Sequence, residues 1–310
     1  MKIQEKVLLK DFSTFKIGGP AKYFVEIKAL EELKEAIEWA KEKEAKFMIL
    51  GGGSNLLFHD KGFDGLVIRL INNQIELKDK TTIVCEAGVM LSELVLFSAK
   101  NDLTGLEWAV GIPGTVGGAI RGNAGAFGLE IKNATQEVVY FDLENLQEEH
   151  CNKEACEFDY RKSVFKEFDH KIIWKAFFEL EIAESEEIQK TMKEIIQKRQ
   201  EKNTCLTKNG SVGSIFKNPI VGEAIIETFE QETGIKCRDK KVPAAWLIDM
   251  CNLKGYRVNG AQVSEKQANF ILNVDDTTAE NIIVLISVIK QKVRNTFGVQ
   301  LEEEVEIVGY

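Results

Sequence analysis

Gly111-Ile112-Pro113-Gly114-Thr115-Val116-Gly117-Gly118-Ala119 sets five Gly or Pro residues among apolar neighbours rather than in a polar linker. Backbone of this kind loses much conformational entropy on folding and leaves amides that need partners. Asn123-Ala124-Gly125-Ala126-Phe127-Gly128 extends the stretch. Its chemistry reads as a binding loop. A second glycine loop, Gly51-Gly52-Gly53-Ser54-Asn55, directly follows the apolar run Phe47-Met48-Ile49-Leu50. There, consecutive N–H groups unscreened by side chains can point at a pyrophosphate. Three glycines alone are equally the residues of a tight turn. A Rossmann fingerprint does not fit, because Leu56 stands where the third glycine belongs. Together the two loops suit a dinucleotide whose diphosphate lies between them.

Around these loops, strand and helix patterns alternate. Ala21 to Lys28 alternates like a strand, and Leu30, Leu33, Ile37 and Ala40 recur at helical spacing before the first loop. Strands are expected near Leu66 to Leu70 and Thr82 to Glu86, then a helix from Leu91 to Lys100. Lys171 to Ile182 alternates again, and Glu184 to Lys202 reads as a charged amphipathic helix with Ile188, Met192, Ile195 and Ile196 on one side. Thr277-Thr278-Ala279-Glu280 has capping-box form ahead of a helix that buries Ile282, Leu285, Ile286, Ile289 and Val293. Gly298 ends that helix, and Leu301 to Val308 reads as a closing strand. The expected class is α+β.

At 310 residues the chain is long enough for two or three packed units around a core able to enclose a cofactor. Its net charge of -9 argues against a nucleic-acid binder, which needs clustered Lys and Arg to release counterions. A single anionic small molecule is still compatible with it. The six cysteines form no Cys-x-x-Cys pair, so they read as reduced thiols of a cytoplasmic protein. Three histidines in unrelated contexts give little material for a His-based triad or metal centre, and no metal is expected. No leader-like or membrane-spanning run appears, so no membrane partner is expected either.

Beyond the glycine loops, further stretches fall in one order: Ser13-Thr14-Phe15-Lys16-Ile17-Gly18-Gly19-Pro20, Tyr160-Arg161-Lys162-Ser163-Val164-Phe165-Lys166 and Gly213-Ser214-Ile215-Phe216-Lys217-Asn218-Pro219. Gly260 to Ser264, Ala268 to Asn273 and Phe297 to Val305 follow. On these residues the chain resembles, nearly end to end, the UDP-N-acetylenolpyruvoylglucosamine reductase family of the vanillyl-alcohol-oxidase/PCMH-type FAD-binding fold. The resemblance implies a two-part FAD-binding domain, residues 1–70 and 71–200, followed by a smaller α+β domain at 201–310 that binds a UDP-sugar. It implies noncovalent FAD, NADPH as hydride donor, and UDP-N-acetylglucosamine enolpyruvate as the substrate reduced to UDP-N-acetylmuramate for peptidoglycan synthesis.

The resemblance also assigns residues. Gly51, Gly52, Gly53, Ser54, Asn55, Pro113, Gly114, Thr115, Gly117, Gly118, Asn123, Ala124 and Gly125 would hold the cofactor. Arg161 matches the family's active-site arginine, and a fork-shaped cation suits a carboxylate that becomes enolate-like. Ser214 matches the proton donor to the carbanion carbon, a base strong enough to take a hydroxyl proton. Glu304 matches the glutamate beside the same group, working protonated or through Arg161. Strand periodicity would put Glu302, Glu304 and Glu306 on one face, so the choice of Glu304 rests on the resemblance. Tyr160, Lys202, Asn218 and Gln262 would face the substrate. Lys202 also ends a charged helix, where a lysine complements the helix dipole without any ligand.

Three features depart from the family pattern. Gln267 stands where many members have histidine, Glu167 to Gly213 holds no tyrosine for a lid, and Ile220 to Pro243 is longer than the compact group's direct link. A related FAD oxidase or dehydrogenase with another substrate is the alternative activity. Gly213 to Pro219 and Leu301 to Val305 favour the reductase.

Overall fold

The computed structural model describes residues 1–201 and 209–309, and contact density divides the chain into two compact units. The first takes residues 1–7, 21–53 and 64–201, and the second takes 8–20, 54–63 and 202–310.

Among the described residues the first unit holds two larger sheets, with two-stranded ladders beside them. One orders its strands as Gln4–Leu8, Pro20–Ile27, Phe63–Leu70 and Phe47–Leu50. Phe47 to Leu50 runs parallel to Leu66 to Arg69, so the first glycine loop leaves the C-terminal end of a parallel strand. The helix Leu30–Glu42 buries Leu33, Ala36, Ile37 and Ala40 in the core of this unit. Glu32 accepts from the amides of Lys28 at 2.8 Å and Ala29 at 3.2 Å, which closes the helix start. Ala29 has no side-chain acceptor to return the bond, so only half of a capping box is present.

The other sheet is antiparallel throughout, in the order Gln147–Asn152, Thr135–Asp142, Lys171–Glu179, Thr82–Glu86 and Ile75–Leu77. The helix Leu91–Lys100 packs Leu91, Leu94 and Val95 into the same core. In the helix Ser185–Glu201 the buried stripe is Ile188, Met192, Ile195 and Arg199. Ile196, expected on that side, is exposed instead. Steps of four, three and four carry the stripe from 188 to 199, and the residue after Ile195 turns about 100° away from it.

The second unit is built around the helix Ala279–Phe297, which buries Ile282, Leu285, Ile286, Ile289 and Val293 as its periodicity predicts. A small sheet orders Arg257–Val258, Ala261–Val263 and Ile271–Asn273. The expected capping box is not formed. Thr278 accepts from Asn281, while the remaining amides at this helix start go to a distant carboxylate: Asp60 accepts from Ala279 at 3.0 Å with each oxygen. Glu280 sits one position too early to serve as the N3 partner. The closing strand is also shorter than expected. Only Glu306–Val308 is a strand, parallel to Leu56–Phe58, and that pairing draws 54–63 into the second unit. Residues 301–305 instead follow the chain after Ser214.

Among the described residues no helix is long and apolar enough to cross a membrane. The described cysteines are free; Cys205 lies outside the described residues. Cys151 and Cys156 form a thiol pair at 3.5 Å, and the bond from Cys156 holds the Cys151 pKa below its ordinary value.

Candidate active site

In the first unit the two glycine loops meet backbone to backbone. A side-chain carbon on Gly51 would stand 2.6 Å from Thr115 Oγ1, and one on Gly52 would stand 2.7 Å from Gly114 Cα. A side chain at Gly52 would push the loops apart, and one at Gly51 would displace the Thr115 hydroxyl. Gly114 has φ +114 and Gly53 φ +61, conformations in which an L side chain is strained. Thr115 caps the short helix Val116–Arg121, accepting from the Gly118 amide. Gly117 lies against Ala87, where an added carbon would come within 2.9 Å of its Cβ. Among the described residues, nothing in the protein accepts from the backbone amides of Gly51, Gly52, Gly53 and Gly114. A diphosphate is a ligand whose oxygens suit such unpaired donors, so the residues present fit a dinucleotide cofactor.

Other expected cofactor residues shape the loops. Asn123 is fully buried, donating to Glu130 at 3.1 Å and the Asp159 carbonyl at 2.8 Å and accepting from the Lys132 amide at 3.3 Å. Ala124 accepts from the Ile131 amide, and Gly125 opens a two-residue pairing with Leu129–Glu130. Pro113 follows Ile112, whose amide closes a turn onto Ala109. Ser54 and Asn55 belong to the second unit.

Arg161 lies in the first unit at the tip of a tight turn, between the bridged residues Asp159 and Lys162, with φ +58. The Arg161 guanidinium donates to the Gly125 carbonyl at 3.1 Å and sits over the Tyr160 ring at 5.1 Å. It is thereby fastened to the second glycine loop. A non-glycine residue in the left-handed region costs about 1–2 kcal/mol, the kind of strain that surrounding structure sustains at functional sites.

Ser214 and Glu304 both lie in the second unit, and the backbone brings them side by side. The Glu304 amide donates to the carbonyl of Ile215, the residue after Ser214, at 2.7 Å, and Phe216 bridges Glu303. Ser214 itself bridges Phe270, and Gly213 before it has φ +81. The flanking glutamates are engaged elsewhere: Glu302 pairs with Lys217 at 3.4 Å and Glu303 with Lys290 at 2.7 Å. Asn55 reaches the same segment, donating its side-chain amide to the Glu304 carbonyl at 2.9 Å.

Two residues here went unassigned in the sequence reading. Asn269 is 5% exposed and pins Phe216 from both sides, its Oδ1 accepting from the Phe216 amide at 3.0 Å and its Nδ2 donating to the Phe216 carbonyl at 2.8 Å. Asn273 ties Phe15 and Thr277 together in the same way. Both sit in the quoted stretch Ala268 to Asn273. A buried Asn within an otherwise apolar stretch was the available signal.

Asn218 uses its side-chain oxygen to accept from the Ala244 amide at 3.0 Å, satisfying the start of the helix Ala244–Met250. Gln262 donates to the Gly255 carbonyl at 3.3 Å. Lys202 lies outside the described residues. The extra segment Ile220 to Pro243 carries a helix, Glu223–Thr233, whose Phe229 packs edge-on against Trp246 at 5.4 Å. Its first residues face Phe297 to Gln300 across an open groove of about 650 Å³. Asp142, Glu144 and His170 gather ligand atoms within 4.8 Å of one another, a grouping that sequence spacing did not announce.

Residues 21–143 match the family model of an FAD binding domain, and residues 205–308 match that of the UDP-N-acetylenolpyruvoylglucosamine reductase C-terminal domain. The chain is 36% identical over 298 residues to a UDP-N-acetylenolpyruvoylglucosamine reductase of Solibacter usitatus, covering 96% of this chain and 94% of that one. It is 40% identical over 303 residues to one of Caldicellulosiruptor saccharolyticus, covering 97% and 90%. The crystal structure of UDP-N-acetylenolpyruvylglucosamine reductase from Thermus caldophilus superposes with a TM-score of 0.79 at 33% identity, covering 99% of each chain.

Proposed function

The chain belongs to the UDP-N-acetylenolpyruvoylglucosamine reductase family of FAD-dependent oxidoreductases, and from that premise we propose that it reduces UDP-N-acetylglucosamine enolpyruvate with electrons from NADPH. The observation that carries this reading is the pairing of Glu304 with Ile215, which sets a glutamate beside the Ser214 loop in a domain of the reductase type. In this reading residues 1–70 and 71–200 hold the cofactor and 201–310 binds the UDP-sugar. The product, UDP-N-acetylmuramate, serves peptidoglycan synthesis in the cytoplasm.

FAD held between 51–55 and 113–118 would supply the hydride chemistry that links NADPH to the enolpyruvyl double bond. The protein's part is to bind, orient and stabilise charge. The backbone amides of Gly51, Gly52, Gly53 and Gly114 would hold the diphosphate, the rest of 51–55 and 113–118 shapes that cradle, and Asn123 acts by holding the loop that carries Ala124 and Gly125. Arg161 binds the substrate carboxylate and opposes the negative charge that grows on it as the adjacent carbon becomes a carbanion. Ser214 delivers its hydroxyl proton to that carbon, a transfer favoured by the carbanion's far greater basicity. Glu304, whose negative charge would oppose the carbanion, contributes protonated or through Arg161. Tyr160, Lys202, Asn218 and Gln262 hold the rest of the UDP-sugar.

The test is spectroscopic. NADPH should bleach the yellow flavin under anaerobic conditions, and the enolpyruvyl ether should restore its colour. Restoration by oxygen but not by the ether would overturn the reading in favour of an oxidase.

A further inference from the structure

The helix Ser185–Glu201 holds none of the residues assigned above, yet it buries a guanidinium: Arg199 is 8% exposed. Its Nη2 donates to the Trp108 carbonyl at 3.2 Å. Its Cδ lies 3.3 Å from the place where a side-chain carbon on Gly111 would stand. Its guanidinium carbon sits 5.2 Å from the centroid of the Phe127 ring. Trp108 and Gly111 mark the entry of the second glycine loop, and Phe127 marks its exit. One side chain therefore braces both ends of the loop.

At the entry, Glu107 Oε2 reaches back to the Gly105 amide at 2.9 Å and not into the loop. Glu107 Oε1 and Trp108 Nε1 are buried there without a hydrogen-bond partner among the described residues. The exit bears on the reaction, because Gly125, two residues before Phe127, supplies the carbonyl that fastens Arg161. A planar fork is the side chain that can donate to a carbonyl through its edge while its face covers an aromatic ring. Lysine offers the charge without the plane.

We propose that Arg199 is a positioning residue for the cofactor loop: it fixes the two ends of Gly111 to Gly128 in the conformation that accepts FAD, and through Gly125 it sets the anchor of Arg161. This rests on the assignment of the glycine loops to FAD.

The experiment is an FAD titration of flavin-stripped full-length protein, followed by flavin fluorescence, for wild type, Arg199→Lys, Phe127→Leu and the double variant. Phe127 is 48% exposed, so its replacement leaves the core intact even if the arginine variant folds poorly. Each single change should weaken FAD binding about tenfold and shift the bound flavin's visible band. The double variant should bind no more weakly than the worse single, because both changes remove one shared contact. Lys198→Gln, on the exposed side of the same helix, should bind like wild type. Unchanged affinity in both singles, or losses that simply add, would overturn the proposal. Wild-type protein that takes up no FAD would instead overturn the cofactor assignment and the proposal with it.

Discussion

Asn55 donates its side-chain amide to the carbonyl of Glu304 at 2.9 Å across 249 positions of chain. The last residue of the first glycine loop thus holds the segment that carries the candidate acidic group. Glu306 returns the contact by donating its amide to the Asn55 carbonyl at 3.0 Å. Asn55→Ala should cost about 1 kcal/mol of stability. It should slow recovery of flavin colour by the enolpyruvyl ether about tenfold while FAD stays bound. Comparing the flavin content of purified protein with the rate of the second half-reaction checks both parts.

Arg161→Lys keeps the charge and loses the fork that donates to Gly125. Bleaching of the flavin by NADPH should proceed at a rate near wild type. Reduction of the ether should fall by about 10² or more, as for loss of a preorganised donor to developing charge. Stopped-flow absorbance resolves the two phases.

Asp60 closes the start of the helix Ala279–Phe297 by accepting from Ala279 with both carboxylate oxygens. Asp60→Ala should therefore destabilise the second unit by about 1–2 kcal/mol, the range for loss of a charged cap at a helix N-terminus. Urea unfolding followed by the fluorescence of Trp246, which lies in that unit, measures the change.

The carboxyl of Glu32 is held below its ordinary range, chiefly by the amide of Lys28 and then by that of Ala29. A lowered folded pKa means that this contribution is full above the ordinary carboxylate value and is lost as pH falls through the lowered one. Glu32→Gln should flatten the acid arm of the stability curve below about pH 4.5 and leave it unchanged in shape near pH 7. Thermal midpoints across that range decide it.

Much of the architecture could be read from local pattern. The helix Leu91–Lys100 and the strand Thr82–Glu86 have the expected limits because each carries its own period and its own boundary residues. Gly51 and Gly114 announced a binding loop because unscreened backbone among apolar residues needs a reason. Features made by distant partners could not be read this way. Thr278 and Glu280 resemble a capping box, yet the carboxylate that caps the helix is Asp60, over two hundred positions away. Leu301 to Val308 alternates like a strand, but residues 301–305 track the Ser214 loop, whose position the alternation does not encode. The turn at Arg161 left no trace in the pattern, because a single residue at positive φ has no periodic signature. Family resemblance supplied Ser214 and Glu304; their adjacency in the second unit is a fact of pairing that appears only in the fold.

The most direct test of the account is a single replacement that removes one hydroxyl. Ser214→Ala should take up FAD and be bleached by NADPH at nearly the wild-type rate, while recovery of colour on adding the enolpyruvyl ether slows by about 10² or more. Equal slowing of both half-reactions, or a second half-reaction as fast as wild type, would contradict the assignment of Ser214 as the proton donor.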